Sequence, residues 1–208
     1  MARPRKTQQI DIRARAIAET IRLLDEKAAT AITLSEVAVA VGCRAPALYT
    51  HFANKDALLR AVHDAGFRMM LEEKLALAAR HEGDAFARLR EGGHAYLRFA
   101  FERPGLYRLM FSPPPLVVTD ENPFATDAGA ACLAALRSAV RSCQAAGYLP
   151  AEDDAQTAFT LWAAVHGAAS LVLQDRAPAA DRDGARAAAM ATVDMLMGFI
   201  GATRPPLS

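Results

Sequence analysis

Apolar residues recur at steps of three and four along almost the whole chain, and strict alternation, the signature of a strand, is rare. This pattern predicts an all-α protein of roughly nine helices. In the first, about residues 9 to 27, Ile10, Ala14, Ile17, Ile21 and Leu24 form one stripe, with charged residues on the other faces. Thr33 and Glu36 make a capping box over a second helix, which Gly42 ends. A short third helix spans about Arg44 to His51. Asn54 caps a long fourth one, with Leu58, Val62, Ala65 and Met69 as its inward stripe.

A fifth helix is expected from about Ala85 to Glu102, with Gly92 and Gly93 inside it. Two adjacent glycines cost helix stability, so they imply a kink or a close approach that would help to open a cavity. The run "RPG" at 103–105 breaks the chain before a brief sixth helix, "LYRLMF". The proline-rich "SPPPLVVTDENP" that follows is read as a variable loop. Three further helices are expected at about 124–146, 152–175 and 183–202.

Charge changes the picture by its distribution rather than its total. The 208 residues carry a formal net charge of +1, yet up to residue 60 there are ten Lys/Arg against six Asp/Glu, and after it fourteen against seventeen. A basic head on a mildly acidic body points to an anionic partner for the head. The three cysteines, Cys43, Cys132 and Cys143, form no CxxC pair and make no disulfide framework. No uninterrupted run of about 18 apolar residues marks a membrane span, and the basic start leads into no apolar leader, so a cytoplasmic location with no membrane partner is expected.

The second and third helices, joined by a glycine turn, fit a helix-turn-helix, whose second helix enters a DNA major groove while the first lies across the backbone. Tyr49, Thr50 and His51 at the end of the third helix, and Lys55 at the start of the fourth, gather hydroxyls, an imidazole, an ammonium and helix N-terminal amides where phosphates can lie. Leu48 and Phe52 turn inward with Val37 and Leu58 as core. The arm "ARPRK" reads first as a solvated tail, and second as a minor-groove or phosphate contact.

The stretch "ITLSEVAVAVGCRAPALYTHFANKDALL" resembles the DNA-binding domain of the TetR family of bacterial transcriptional regulators, and the likeness covers about 50 residues. The resemblance implies an N-terminal three-helix DNA-binding domain over residues 1–54 and a six-helix effector-binding and dimerisation domain over 55–208, with the fourth helix linking them. It also implies phosphate contacts from Thr33, Tyr49, His51 and Lys55, with Arg44, Ala45, Ala47 and Thr50 facing bases or the adjoining backbone. Arg44 stands where many members have a Ser or Thr cap, and it can reach a guanine, whereas the two alanines offer only small apolar contacts. "FAFERPGLYRLMF" and "LWAAVHGAASLVL", with Trp162, His166 and Gly167, are similar to a subgroup whose C-terminal domain bears a Trp-His-Gly signature.

In the body, two adjoining stripes on the eighth helix and two on the ninth exceed what packing within one chain needs, so a symmetric helix-pair interface is expected. Its residues are read as Leu161, Val165, Ala168, Val172, Thr192, Met195 and Phe199. An apolar pocket with a few polar handles is expected from Tyr96, Phe99, Tyr107, Met110, Phe111, Phe159, Trp162 and His166. As a structural element alone, each aromatic is ordinary core and His166 a satisfied core histidine.

The function implied is a ligand-responsive repressor that binds a palindromic DNA operator as a homodimer and is released by a small, mostly apolar effector. An activator of the same family, or an interaction protein that keeps the fold, are the alternatives. An enzyme is not expected, because the chain has no phosphate-binding glycine loop, no HExxH, no nucleophile elbow and no metal-ligand spacing among its five histidines. No cofactor and no metal are expected. His63 and Asp64, as sequence neighbours, are expected on different faces of their helix.

Overall fold

The computed structural model describes residues 11–112, 126–151 and 153–202. Among these the architecture is all-α: α1 (Ile12–Glu26), α2 (Leu34–Val41), α3 (Ala45–Tyr49), α4 (Lys55–Arg80), α5 (Ala85–Glu102), α6 (Pro104–Phe111), α7 (Asp127–Ala145), α8 (Asp154–Leu173) and α9 (Arg182–Ala202). The arm "ARPRK", Ile10 and the proline-rich segment after Ser112 lie outside the described residues.

Most helices begin at a side chain that satisfies an amide the helix leaves free. Asp11, Thr33, Asn54, Asp84, Thr126 and Asp153 accept hydrogen bonds from backbone N–H groups two or three residues on, at 2.8 to 3.2 Å in the clearest cases. Each such cap contributes about 1 kcal/mol. Gly42 ends α2 with φ 77°, a left-handed conformation that glycine takes without a Cβ clash. "RPG" starts a helix rather than only breaking one. Pro104 is the first residue of α6, where a missing N–H costs nothing.

Three readings of the pattern shift. On α1 the interior face is Ala16, Thr20, Leu23 and Leu24, while Ile17 and Ile21 are half-buried and Ala14 is exposed. A small residue lets helices approach closely, and Thr20 satisfies its hydroxyl on the Ala16 carbonyl at 2.7 Å, so neither needs to be a large hydrophobe to face the core. On α4, Gly66, Phe67 and Met70 are buried, whereas Ala65 and Met69 are only half-buried. That helix packs against α1, α5, α6 and α7, and a helix surrounded on several sides has no single inward stripe. Finally, α3 has five residues and stops at Tyr49, because Thr50 and His51 close a tighter turn: the His51 and Phe52 N–H groups share the Leu48 carbonyl, each at 3.0 Å.

The helices form two regions along the chain. α1, α2 and α3 pack with one another and with the start of α4, around Val37, Leu48, Phe52 and Leu58, all buried. The rest of α4 joins α5, α6 and α7, and α8 pairs with α9, which also lies on α5. Gly93 permits that last contact, since a Cβ there would stand 3.0 Å from a Val193 methyl. By length and composition α9 could cross a membrane. In the fold one face of it is buried through Ala185, Ala189, Val193, Met197 and Ile200, and Met195 and Phe199 stand on the other, 64% and 66% exposed.

Candidate nucleic-acid interface and effector cavity

The proposed reading surface is built by short-range chemistry. The Thr33 hydroxyl caps α2, so it lies at a helix N-terminus whose free amides point outward. After the Gly42 turn, Arg44 is the N-cap of α3 and Pro46 sits in its first turn. Burial of Leu48 and Phe52 turns the intervening positions outward: Arg44, Tyr49, Thr50 and His51 are exposed, Tyr49 to 54%, and Ala45 and Ala47 are half-buried with part of each methyl presented.

Two of these groups are held in place. The Thr50 hydroxyl donates to the Ala47 carbonyl at 2.7 Å, and the Lys55 ammonium donates to the Thr30 carbonyl at 2.6 Å. That second bond ties the start of α4 to the short 3-10 turn Ala29–Ala31 before α2, so Thr33 and Lys55 belong to one surface. Lys27 and Glu36 pair beside it, and the Lys27 ammonium holds the Glu36 carboxyl below its ordinary range. On the flank of α3, the Arg13 guanidinium stacks 5.7 Å from the Phe52 ring centre.

In the body, α4, α5, α7, α8 and α9 line a half-open cavity of about 80 Å³. Each helix supplies a short patch: Met70, Lys74 and Leu77 from α4; Arg88, Leu89, Gly92, Gly93 and Tyr96 from α5; Cys132, Leu136 and Ala139 from α7; Leu161, Trp162 and Val165 from α8; Val193, Leu196 and Met197 from α9, with Phe111 closing it from α6. Nearly all of this wall is apolar. Burial pushes the Cys132 thiol up to about 11, so it stays protonated and behaves as a small hydrophobe.

Behind the wall runs a chain of polar groups. The Trp162 indole N–H donates to the Tyr96 hydroxyl at 3.2 Å, the Tyr96 and Tyr107 hydroxyls are 3.0 Å apart, and the His166 Nδ1 lies 2.7 Å from Tyr107 and 2.9 Å from Tyr96. Burial lowers the His166 pKa, which favours the neutral ring. With the proton of the neutral ring on Nε2, Nδ1 accepts, and a self-consistent order is Trp162 N–H to Tyr96, Tyr96 O–H to Tyr107, and Tyr107 O–H to His166. Burial drives both tyrosine pKa values up, which keeps the phenols as donors. The rings of Tyr107, Phe111, Trp162 and His166 pack around this chain at centroid distances of 4.8 to 6.3 Å.

The structure divides the residues expected in the pocket. Tyr96, Phe111 and Trp162 line it. Tyr107 and His166 stand behind Tyr96 in the polar chain. Phe99 and Met110 are buried outside the lining, and Phe159 faces outward, 55% exposed. The interface residues divide as well. Met195 and Phe199 are exposed on α9 and Thr192 is half-buried, whereas Leu161 and Val165 line the cavity, Val172 is buried and Ala168 is half-buried against the core. The exposed large apolar residues of α8 are instead Phe159 and Leu171. Of two neighbouring apolar stripes, periodicity cannot say which faces in.

The α7 wall, Lys74, Arg88 and the α9 lining were not among the residues expected from sequence. A signal existed for one of them: Lys74 falls between Met70 and Leu77 at helical spacing, a cation on an apolar stripe. His63 and Asp64 correct a further expectation, since Nδ1 of the buried histidine approaches the Asp64 carboxylate at 3.1 Å. Rotation of the two side chains overcomes the divergence of adjacent helical positions.

Comparison with known proteins matches two family models. Residues 16–62 match that of the bacterial regulatory proteins of the tetR family, and residues 89–201 match the tetracyclin repressor-like C-terminal domain. None of the curated proteins is similar to the chain at a significant level. Among solved structures, a protein of unknown function from Rhodococcus sp. RHA1 is 24% identical, with 97% of this chain and 100% of that one covered and a TM-score of 0.74. A TetR-family transcriptional regulator from Pectobacterium atrosepticum is 20% identical over 91% and 95% of the two chains, at a TM-score of 0.70. The TetR family regulator PfmR from Thermus thermophilus is 20% identical over 88% and 97%, at 0.61.

Proposed function

The chain belongs to the tetR family of bacterial regulatory proteins, and from that premise we propose that it is a ligand-responsive transcriptional repressor that binds a palindromic operator as a homodimer. The observation that carries the reading is the exposed run Tyr49, Thr50 and His51 behind a left-handed Gly42 turn, with Lys55 fixed beside it. Phosphate contacts position such a helix, and base contacts from Arg44, Ala45, Ala47 and Thr50 give specificity. Residues 1–54 read DNA and 55–208 sense the effector and dimerise.

A pair of recognition helices is needed because one helix this short reads too few base pairs. The exposed Phe159 and Leu171 of α8 and Met195 and Phe199 of α9 support a twofold contact through these helices. The cavity supports a small, mostly apolar effector, and the aromatic and histidine chain around Trp162 and His166 supports the Trp-His-Gly subgroup.

Release of DNA needs a route from cavity to head, and two helices provide it. α4 runs from Lys55 in the reading surface to Lys74 and Leu77 in the cavity wall. α6 places Phe111 in that wall at one end, and at the other packs Gly105 so closely on α1 that a Cβ would lie 1.9 Å from the Leu24 carbonyl oxygen. An effector that displaces Phe111 therefore loads α1 through α6. It shifts the DNA equilibrium only by the difference between its affinities for the two states.

Selection of bound sequences from random DNA tests the reading. A palindromic motif with half-sites one helical turn or a multiple apart is expected, and recovery of no enriched motif at low salt would sink it.

A further inference from the structure

The cavity wall has two cations that, among the described residues, pair with no carboxylate. Lys74 follows Met70 by four residues and precedes Leu77 by three, so it points where those two buried wall residues point. Arg88 stands one turn before Gly92 on α5 and lines the same space. Among the described residues neither Lys74 nor Arg88 forms a salt bridge. The carboxylate next to Lys74 in sequence, Glu73, is turned to Arg98 at 3.9 Å.

Two like charges on an apolar cavity are costly unless something neutralises them. Burial lowers the Lys74 pKa and the charge of Arg88 adds to this, while the Glu73 carboxylate acts the other way. An anion seated between the two cations reverses the sign of that penalty. A cationic ligand would add to it, and a neutral one would leave it as it is.

The rest of the wall states what the anion is attached to. From Arg88 the α5 patch continues through Leu89, Gly92 and Gly93 to Tyr96, a span of about 12 Å at the helical rise. Gly92 leaves a gap without a side chain, since a Cβ there would meet nothing within 4 Å, and Val193 covers Gly93 beside it, so the strip stays apolar. The Tyr96 hydroxyl at the far end is already engaged with Trp162 and Tyr107.

We propose that the effector is an amphipathic monocarboxylate, its carboxylate held by Lys74 and Arg88 and its apolar body laid past Gly92 and Val193 toward Tyr96. The proposal rests on the reading of this cavity as the effector site and names the chemistry that the site selects.

Trp162, the sole tryptophan, lines the cavity and reports occupancy by its fluorescence. The full chain is titrated with octanoate, 1-octanol and octylamine, which share a tail and differ in head group, and the effect of each on affinity for the selected operator is measured. Octanoate is expected to bind at least about tenfold more tightly than 1-octanol, with octylamine weakest. Lys74→Met and Arg88→Gln should each remove about tenfold from octanoate affinity and leave 1-octanol within about twofold. Lys74→Met should also melt at a higher temperature, since it removes a half-buried unpaired ammonium from an apolar wall, and this shows that the variant is folded. Equal binding of octanoate and 1-octanol, or an octanoate preference that survives both substitutions, overturns the proposal. If 1-octanol alone binds and weakens operator affinity, the effector reading stands and the carboxylate proposal falls. If no octyl compound reaches Trp162, both fall.

Discussion

The reading head and the body place their polar groups in opposite ways. In the head, Thr33, Arg44, Tyr49, Thr50 and His51 are exposed, and the hydrogen bonds of Thr33 and Thr50 reach only three residues along the chain. In the body, Tyr96 and Tyr107 are 5% and 3% exposed, and they reach His166 across 70 and 59 residues of sequence. On the proposed function, the difference follows from what each would meet. A group that neutralises phosphates must stay hydrated until DNA replaces its water, so it sits on the surface of a small preformed unit. A group that shapes an apolar cavity has no water to fall back on and must be satisfied by the protein itself.

The sharpest break of this contrast is at the seam. Gly105→Ala drives a methyl into the Leu24 carbonyl, a backbone atom that cannot rotate away. A loss of about 3 kcal/mol in urea unfolding is expected, felt in both regions; a loss below about 1 kcal/mol would show that α6 and α1 are loosely joined.

Phe199→Asp comes next. The residue is 66% exposed in the protomer, so the fold should survive, while a charge at an apolar contact between copies should weaken dimerisation about a hundredfold, or about 2.7 kcal/mol. Sedimentation at micromolar concentration would then show a monomer, and an unchanged dimer would move the contact elsewhere.

Tyr49→Ala isolates the head. It should lower operator affinity about tenfold, equivalent to about 1.4 kcal/mol, nearly uniformly across DNA sequences, and leave both the melting temperature and Trp162 quenching by octanoate unchanged. Its counterpart in the body is Gly92→Ala. A Cβ at Gly92 meets nothing within 4 Å, so the variant should gain about 0.5–1 kcal/mol in stability from helix propensity, yet its methyl enters the cavity and should weaken ligand binding. Stability and binding moving together would place the cavity's free space elsewhere.

The smallest effect concerns the start of α8. Arg137 approaches Asp154 through Nε at 2.9 Å and Arg141 through Nη1 at 2.8 Å, and together they hold the Asp154 carboxyl at about 2, below the ordinary 3.8. A carboxyl with a depressed folded pKa stabilises fully above about 3.8 and loses that contribution as pH falls through about 2. The stability difference between the wild type and Asp154→Asn should therefore be constant at neutral pH and shrink across that window in thermal melts, with the head's DNA affinity unaffected.

Much of the architecture was legible because its signals are local. Thr33 with Glu36, Gly42 and Asn54 act within one helical turn, and each landmark of the DNA-reading motif stands within a few residues of the next. The buried pair Leu48 and Phe52 was legible for the same reason. The body was legible only as helices. Val165 and Phe159 belong to neighbouring stripes of similar hydrophobicity on one helix, and only packing decides that the first is buried and the second 55% exposed. The stripe of α1 rotated for a related cause, since isoleucines dominate a periodicity count while Ala16 and Thr20 take the closest contact.

The chain's own pattern therefore determined that the protein is helical, where most helices begin and end, and which short segment forms the helix-turn-helix. Capping, glycine turns and amphipathic spacing are properties of a few consecutive residues and need no partner. Tertiary structure alone decided that Lys74 and Arg88 share one cavity with Tyr96, that Gly93 admits Val193, and that Gly105 meets Leu24. Those contacts join residues far apart in the chain, and their energies depend on shape and burial, which no local pattern carries.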